Sequence, residues 1–204
     1  MLRFLFICML IVPSFAGAEL ITNGDFSAGN AGFTSSYTFF ASGDITGPGE
    51  YAIVTNPLSA HPLASSYGDN TDGFGNMLMA NGSTMAELVW SQTVSVNSNT
   101  IYEFSAFVSS WFLDVPPAPA SLDFVVNGSS IGIFTAPDTT GLWLEFSMSV
   151  SSGALTSFDL EIYNLSTQFG GNDFALDDIS LTASVPEPSP LVMVLIAVFA
   201  LRRR

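Results

Sequence analysis

Apolar and polar residues alternate along much of the middle of this chain. From Leu142 the apolar positions are Leu142, Leu144, Phe146, Met148 and Val150, with Trp143, Glu145, Ser147 and Ser149 between them. Successive side chains of a strand point to opposite faces, so this spacing predicts a strand buried on one side. The pattern recurs at Tyr102, Phe104, Ala106 and Val108 against Glu103, Ser105 and Ser109, and at Phe158, Leu160 and Ile162 against Asp159, Glu161 and Tyr163. Leu122, Phe124 and Val126 run into Asn127-Gly128 before Ile131, Ile133 and Phe134. Asn-Gly tolerates positive φ at both central positions of a tight turn, which predicts a hairpin there.

Strands are expected near residues 20–22, 36–40, 50–54, 76–80, 86–95, 100–110, 120–127, 130–135, 142–150, 154–163 and 173–182. Between residues 19 and 185 no segment sustains helical spacing, and turns rich in Gly, Ser, Asn and Pro separate the strands. The expected fold is all-β: one antiparallel β-sandwich of jelly-roll type. Its interior is expected to hold Leu144, Phe146, Phe104, Phe124, Val126, Phe158, Leu160 and Ile179. A polar loop from Asn56 to Gly75 interrupts the regularity and carries His61, Tyr67, Asp69, Asn70 and Asp72, with Asn76 beside it. Loops of that length in a compact domain are often functional. Gly68 to Gly73 invites comparison with a helix–loop–helix calcium loop, but glycine stands at the first ligand position and Met79 at the twelfth, where a Glu is needed.

Charge narrows the chemistry. The four basic residues are Arg3, Arg202, Arg203 and Arg204, and there is no lysine. Residues 19–185 therefore carry 17 of the 18 carboxylates and no Lys or Arg. Nucleic-acid binding, Schiff-base chemistry and Arg or Lys phosphate clamps are excluded for that region. The single cysteine, Cys8, lies near the start, so the same region has no disulfide and no thiolate nucleophile. One histidine, His61, excludes two-histidine zinc sites. Oxygen ligands and hydroxyl, amide and carboxylate hydrogen bonds remain.

The two ends read as addresses. Arg3, the apolar run from Phe4 to Val12, Pro13 and then Ala16-Gly17-Ala18 have the three parts of a secretory signal peptide, residues 1–18. At the other end, residues 186–204, Pro186-Glu187-Pro188-Ser189-Pro190 precede an apolar run from Leu191 to Leu201 and the terminal Arg202-Arg203-Arg204. A stiff Pro-rich spacer, an apolar run and terminal arginines held on the cytoplasmic side follow in that order. This tail resembles the PEP-CTERM sorting signal of Gram-negative bacteria, with Pro186, Glu187 and Pro188 as the named motif. The resemblance implies an exosortase partner, transient contact with the inner membrane, and delivery to the cell surface or extracellular matrix, often in species that make exopolysaccharide.

Two segments frame residues 19–185. Glu19-Leu20-Ile21-Thr22-Asn23-Gly24-Asp25-Phe26 and Asn172-Asp173-Phe174-Ala175-Leu176-Asp177-Asp178-Ile179-Ser180-Leu181 resemble the first and last strands of galactose-binding-like jelly rolls, a group that includes many carbohydrate-binding modules. That resemblance implies terminal strands lying side by side and a structural calcium ion shared between them. The closing ligand would be Asp177. The opening position is Ser27, which supplies no charge, so Asp25 or a backbone oxygen would have to substitute. The alternative is that Asp177 and Asp178 end the strand with hydrogen bonds alone.

Sugar recognition calls for an aromatic platform flanked by amides and carboxylates, since a pyranose has an apolar face and a polar rim. Candidate platforms are Trp143 beside Glu145, Trp111 before Pro116-Pro117, and Tyr67 and Phe74 in the long loop. Burial is the competing role for each, and for Trp90 it is the expected one. The functional expectation is an exported, non-catalytic surface or matrix protein that binds or organises extracellular polysaccharide. The alternatives are an adhesive structural protein with no specific glycan, and a glycosidase using paired carboxylates.

Overall fold

The computed structural model describes residues 17–41 and 44–184. The signal-peptide and sorting-tail assignments, including Pro186, Glu187, Pro188 and Arg202 to Arg204, lie outside those residues. Among the described residues ten strands form: β1 (Thr38–Phe39), β2 (Glu50–Val54), β3 (Met77–Asn81), β4 (Glu87–Ser95), β5 (Ile101–Phe112), β6 (Ser121–Val126), β7 (Ser129–Thr135), β8 (Leu144–Ser151), β9 (Ser157–Asn164) and β10 (Asp173–Ala183). They make a six-stranded sheet in the order β1-β2-β3-β10-β5-β8 and a four-stranded sheet in the order β4-β9-β6-β7. All named pairings are antiparallel except β1 with β2. This is the expected all-β sandwich, consistent with a jelly roll.

Every segment expected from residue 36 onward holds a strand. The segment at 20–22 does not form one. Glu19 makes a single antiparallel bridge to Thr182, Leu20 N–H donates to Leu181 O at 3.1 Å, and Asn23 then turns the chain away at φ 60°. The first described residues nevertheless lie against β10, so the opening and closing segments are neighbours. The hairpin between β6 and β7 turns on Asn127 (φ 51°) and Gly128 (φ 72°), as the dipeptide requires.

Phe104 and Val108 of β5, Leu122 and Phe124 of β6, Phe158 and Leu160 of β9, and Phe174, Leu176 and Leu181 of β10 fill the space between the sheets, with Ile179 and Val126. Each large side chain buried this way contributes on the order of 1.5–3 kcal/mol. Trp90 is buried in the same core. One expected core residue is corrected: Leu144 is 43 % exposed. β8 is the outermost strand of the larger sheet, so its apolar face overhangs the smaller one. Phe146 is the buried member of the alternating set of β8, stacking on Phe124 with centroids 3.8 Å apart and planes 13° from parallel, while Val150 packs at the core's margin.

The outer face of the six-stranded sheet is also partly covered. Ala52 and Val54 of β2, Met77 and Met79 of β3, Ala175 of β10 and Trp111 of β5 form a second apolar cluster with Ala60 and Ala64. Those last two residues belong to the loop between β2 and β3, which lies over this face. Hence β3 is buried at all five positions, although its inward residues are only Leu78 and Ala80.

Candidate functional site

The loop between β2 and β3 crosses the outer face of the large sheet and returns. Asn56 caps a short 3₁₀ turn, Pro57–Ser59, by accepting from Leu58 N–H at 3.0 Å. His61 then rests against Trp111, ring centroids 5.1 Å apart, and Ser65 N–H donates to Trp111 O at 3.1 Å. Tyr67 meets Trp143 edge-on at 6.0 Å, and Trp143 Nε1 donates to Gly68 O at 3.1 Å. The chain next reaches β10. Asn70 N–H donates to Asp177 Oδ2 at 2.7 Å, Asn70 Nδ2 to Asp178 Oδ2 at 2.8 Å, and Thr71 Oγ1 to Asp178 Oδ1 at 2.7 Å. Asp178 has φ 46° at a register break in β10, so both acids of the pair meet the loop.

A tight turn follows. Asp69 Oδ1 accepts from Gly75 N–H at 2.9 Å, and Asp72 Oδ1 from Phe74 N–H at 2.9 Å and Gly75 N–H at 3.2 Å. Gly73 takes φ 83°, and a Cβ on Gly68 would overlap the Gly73 carbonyl, so both glycines are required by the turn. The turn throws Phe74 outward, where it is 86 % exposed. Beneath it lies an open cleft of about 330 Å³, lined by Asp25, Ser27, Thr71, Asp72, Phe74 and Asn76 among others. Asn76 Nδ2 donates to Phe26 O at 3.1 Å, which ties the cleft floor to the opening segment.

The charge behind the cleft is unusual. Asp177 is fully buried, and no lysine or arginine lies among the described residues. Loss of water pushes its carboxyl up to about 7, with Asp178 and Asp69 adding to the rise and the N–H bonds from Asn70 and Asp178 opposing it.

The candidate residues therefore separate. Phe74 and Asp25 line one cleft, and Asp177 stands behind it. Tyr67 and Trp143 are half-buried partners of each other on the outer sheet face. Trp111 is a correction: only 1 % exposed, it spends its Nε1–H on Ala80 O at 2.8 Å and belongs to the second apolar cluster. The strand pattern gives the physical reason, since Trp111 faces outward on β5 where the loop covers the sheet. Thr71 joins the cleft without having stood out in the sequence; its place beside Asp69 and Asp72 was the available signal.

Around the position where the resemblance implies calcium, the carboxylates make hydrogen bonds within the protein. Each Asp177 oxygen already accepts a backbone N–H, from Asn70 and from Asp178 at 2.8 Å. Asp25 is exposed, with Oδ1 taking Ser27 N–H at 3.2 Å and Ser27 Oγ at 2.9 Å. Among the described residues no three His, Cys, Asp or Glu side chains gather closely enough to hold a metal ion. Asp177 and Asp178 both accept hydrogen bonds from the end of the loop.

No protein-family model matches the sequence, and no curated protein matches it. Solved structures do share its fold. A CBM22 xylan-binding domain from Paenibacillus barcinonensis is 20 % identical, with 84 % of this chain and 97 % of that one covered at a TM-score of 0.50. A cyclase from Fischerella sp. TAU is 12 % identical, covering 85 % and 100 % at a TM-score of 0.58. An arabinose-bound α-L-arabinofuranosidase is 14 % identical over 84 % of this chain and 27 % of its own, at a TM-score of 0.55. At such identities the likeness establishes the β-sandwich fold.

Proposed function

We propose that the protein is exported and sorted to the outside of a Gram-negative cell, where it binds polysaccharide without catalysis through the cleft under Phe74. The observation that carries this reading is Phe74 itself. A large apolar ring stands almost fully in water, held there by two Asp-capped turn bonds, above a cleft of carboxylates, hydroxyls and an amide. A ring held in that position above polar groups offers an apolar face on which the apolar face of a pyranose can stack. Asp25, Asp72, Asn76, Ser27 and Thr71 supply acceptors and donors for the hydroxyl rim. A xylan-binding domain among the structures with this fold supports the same class of ligand. The leader at residues 1–18 and the PEP-CTERM-like tail at residues 186–204 support export, with exosortase as the processing partner and exopolysaccharide as the target.

A glycan array probed with the purified protein, followed by affinity electrophoresis in gels cast with the native host's exopolysaccharide, tests this reading. Retardation by at least one neutral or amino-substituted polysaccharide is expected. Migration unchanged in every gel would leave the adhesive structural role in its place.

A further inference from the structure

A second cavity lies at the opposite end of β3. Asn81, which closes that strand, lines it, whereas Asn76, just before the strand, lines the Phe74 cleft. Five residues of extended chain put roughly 15 Å between the two. The second cavity has a volume of about 240 Å³ and is lined by Asp173, Asp114, Trp111, Phe112, Phe169 and His61, together with Asn81 and others. It lies below the usual ~300–1,000 Å³ of drug-sized sites, which limits its occupant to a compact molecule of about one sugar ring.

Its chemistry is that of a cation site without a cation of its own. Asp173 is only 5 % exposed, and its Oδ1 accepts Gly82 N–H at 3.0 Å. No lysine or arginine among the described residues offsets its charge. Asp114, across the cavity, adds a second negative charge, and its repulsion, with burial as the larger cause, raises the Asp173 carboxyl to about 6. His61 does not compensate, since burial lowers its affinity for a proton. Gly170 and Gly171 press against Asp114, so that a Cβ on either would crowd it, and they seat the acid at the mouth. Next to Gly170, Phe169 is 80 % exposed at the rim. Half-buried Phe112, packed 6.2 Å from the buried Trp111, supplies further aromatic surface. Two carboxylates repel an anion, and aromatic rings beside them attract an organic ammonium through their negative faces. A bare metal ion lacks a third ligand group here.

We infer that this cavity binds the ammonium group of an amino sugar, with Asp173 and Asp114 as counter-charges, Phe169 over the ring, and Asn81 for a hydroxyl. The inference goes beyond the Phe74 cleft and does not depend on it. A free-amine hexosamine residue, exposed in a partly de-acetylated polysaccharide, presents this chemistry, whereas an acetylated one does not.

Titration calorimetry of the full protein near pH 7 tests it, with glucosamine, N-acetylglucosamine and glucose as probes. Glucosamine is expected to bind, and the other two at least about 10-fold more weakly, a difference of ~1.4 kcal/mol. Asp114→Asn and Phe169→Ala, both exposed positions whose substitution spares the core, should each weaken glucosamine about 10-fold or more without lowering the melting temperature, while Phe74→Ala should leave the affinity unaltered. Equal affinity for the acetylated sugar, no glucosamine binding, or binding lost with Phe74→Ala and kept in the other two variants overturns the inference.

Discussion

The Asn70 backbone N–H and the Asp177 Oδ2 atom lie 2.7 Å apart, joining a loop to a strand more than a hundred residues further along the chain. This bond ends on a fully buried carboxylate with no positive partner among the described residues. The loop that carries Phe74 is therefore fastened to the sheet by a group that resists ionisation.

The pH dependence of stability follows with a definite sign. Asp177 is raised from 3.8 to about 7, and Asp173 from 3.8 to about 6. Between those limits the native state holds more protons than the unfolded chain, so stability falls as pH rises from about 4 to about 7. At about 1.4 kcal/mol per pK unit the combined effect is on the order of several kcal/mol. Thermal melts should give a higher melting temperature near pH 5 than near pH 8, and Asp177→Asn should narrow the gap. A melting temperature that rises toward pH 8 in the wild type would contradict the buried, unpaired state of these acids.

Chelation should leave stability unchanged. With both Asp177 oxygens engaged by N–H groups and Asp25 at the surface, melting curves in chelator and in millimolar calcium are expected to coincide. An ion bound only by the native state would separate them by mass action. A lower melting temperature in chelator, abolished by Asp177→Ala, would restore the metal.

Two aromatic truncations should divide cleanly between stability and binding. Trp111→Ala removes a 1 % exposed indole and its bond to Ala80 O, and is expected to cost about 3–5 kcal/mol in urea unfolding. Phe74→Ala removes a side chain in water and should shift stability by no more than about 0.5 kcal/mol. A large loss of stability from Phe74→Ala would place that ring in a packing role.

Mass spectrometry of the protein from its native host is expected to show a chain beginning at Glu19, with the tail removed or engaged near Pro186-Glu187-Pro188. Deleting Arg202 to Arg204 should impair sorting and leave the melting temperature of residues 19–185 alone. A product that keeps both ends would remove the sorting account.

The sandwich was legible in the sequence because one-sided burial writes itself as a period of two, and Phe104, Phe158 and Leu160 are inside for that reason. The same rule misplaced Leu144, because alternation says which face a residue occupies and not how far the opposing sheet extends. It also hid the covering of the outer face. Met77 and Met79 read as ordinary strand residues and Trp111 as a candidate sugar platform, and only the fold brings Ala60 and Ala64 over them. The Phe74 cleft was half visible, as a polar loop of unusual length. Asp25 joins it from about fifty residues away, through proximity that no local pattern records. Asp173 and Asp114 come from strand and loop segments far apart in sequence, so their pairing is a product of topology alone.

The most direct measurement of the central claim is affinity electrophoresis of wild type, Phe74→Ala and Trp143→Ala in gels cast with the native host's exopolysaccharide, beside a polysaccharide-free gel. Binding through the cleft predicts retarded wild type, Phe74→Ala running as it does in the plain gel, and Trp143→Ala still retarded because its half-buried ring pairs with Tyr67 away from the cleft lining. Retardation of Phe74→Ala equal to that of wild type would contradict the account.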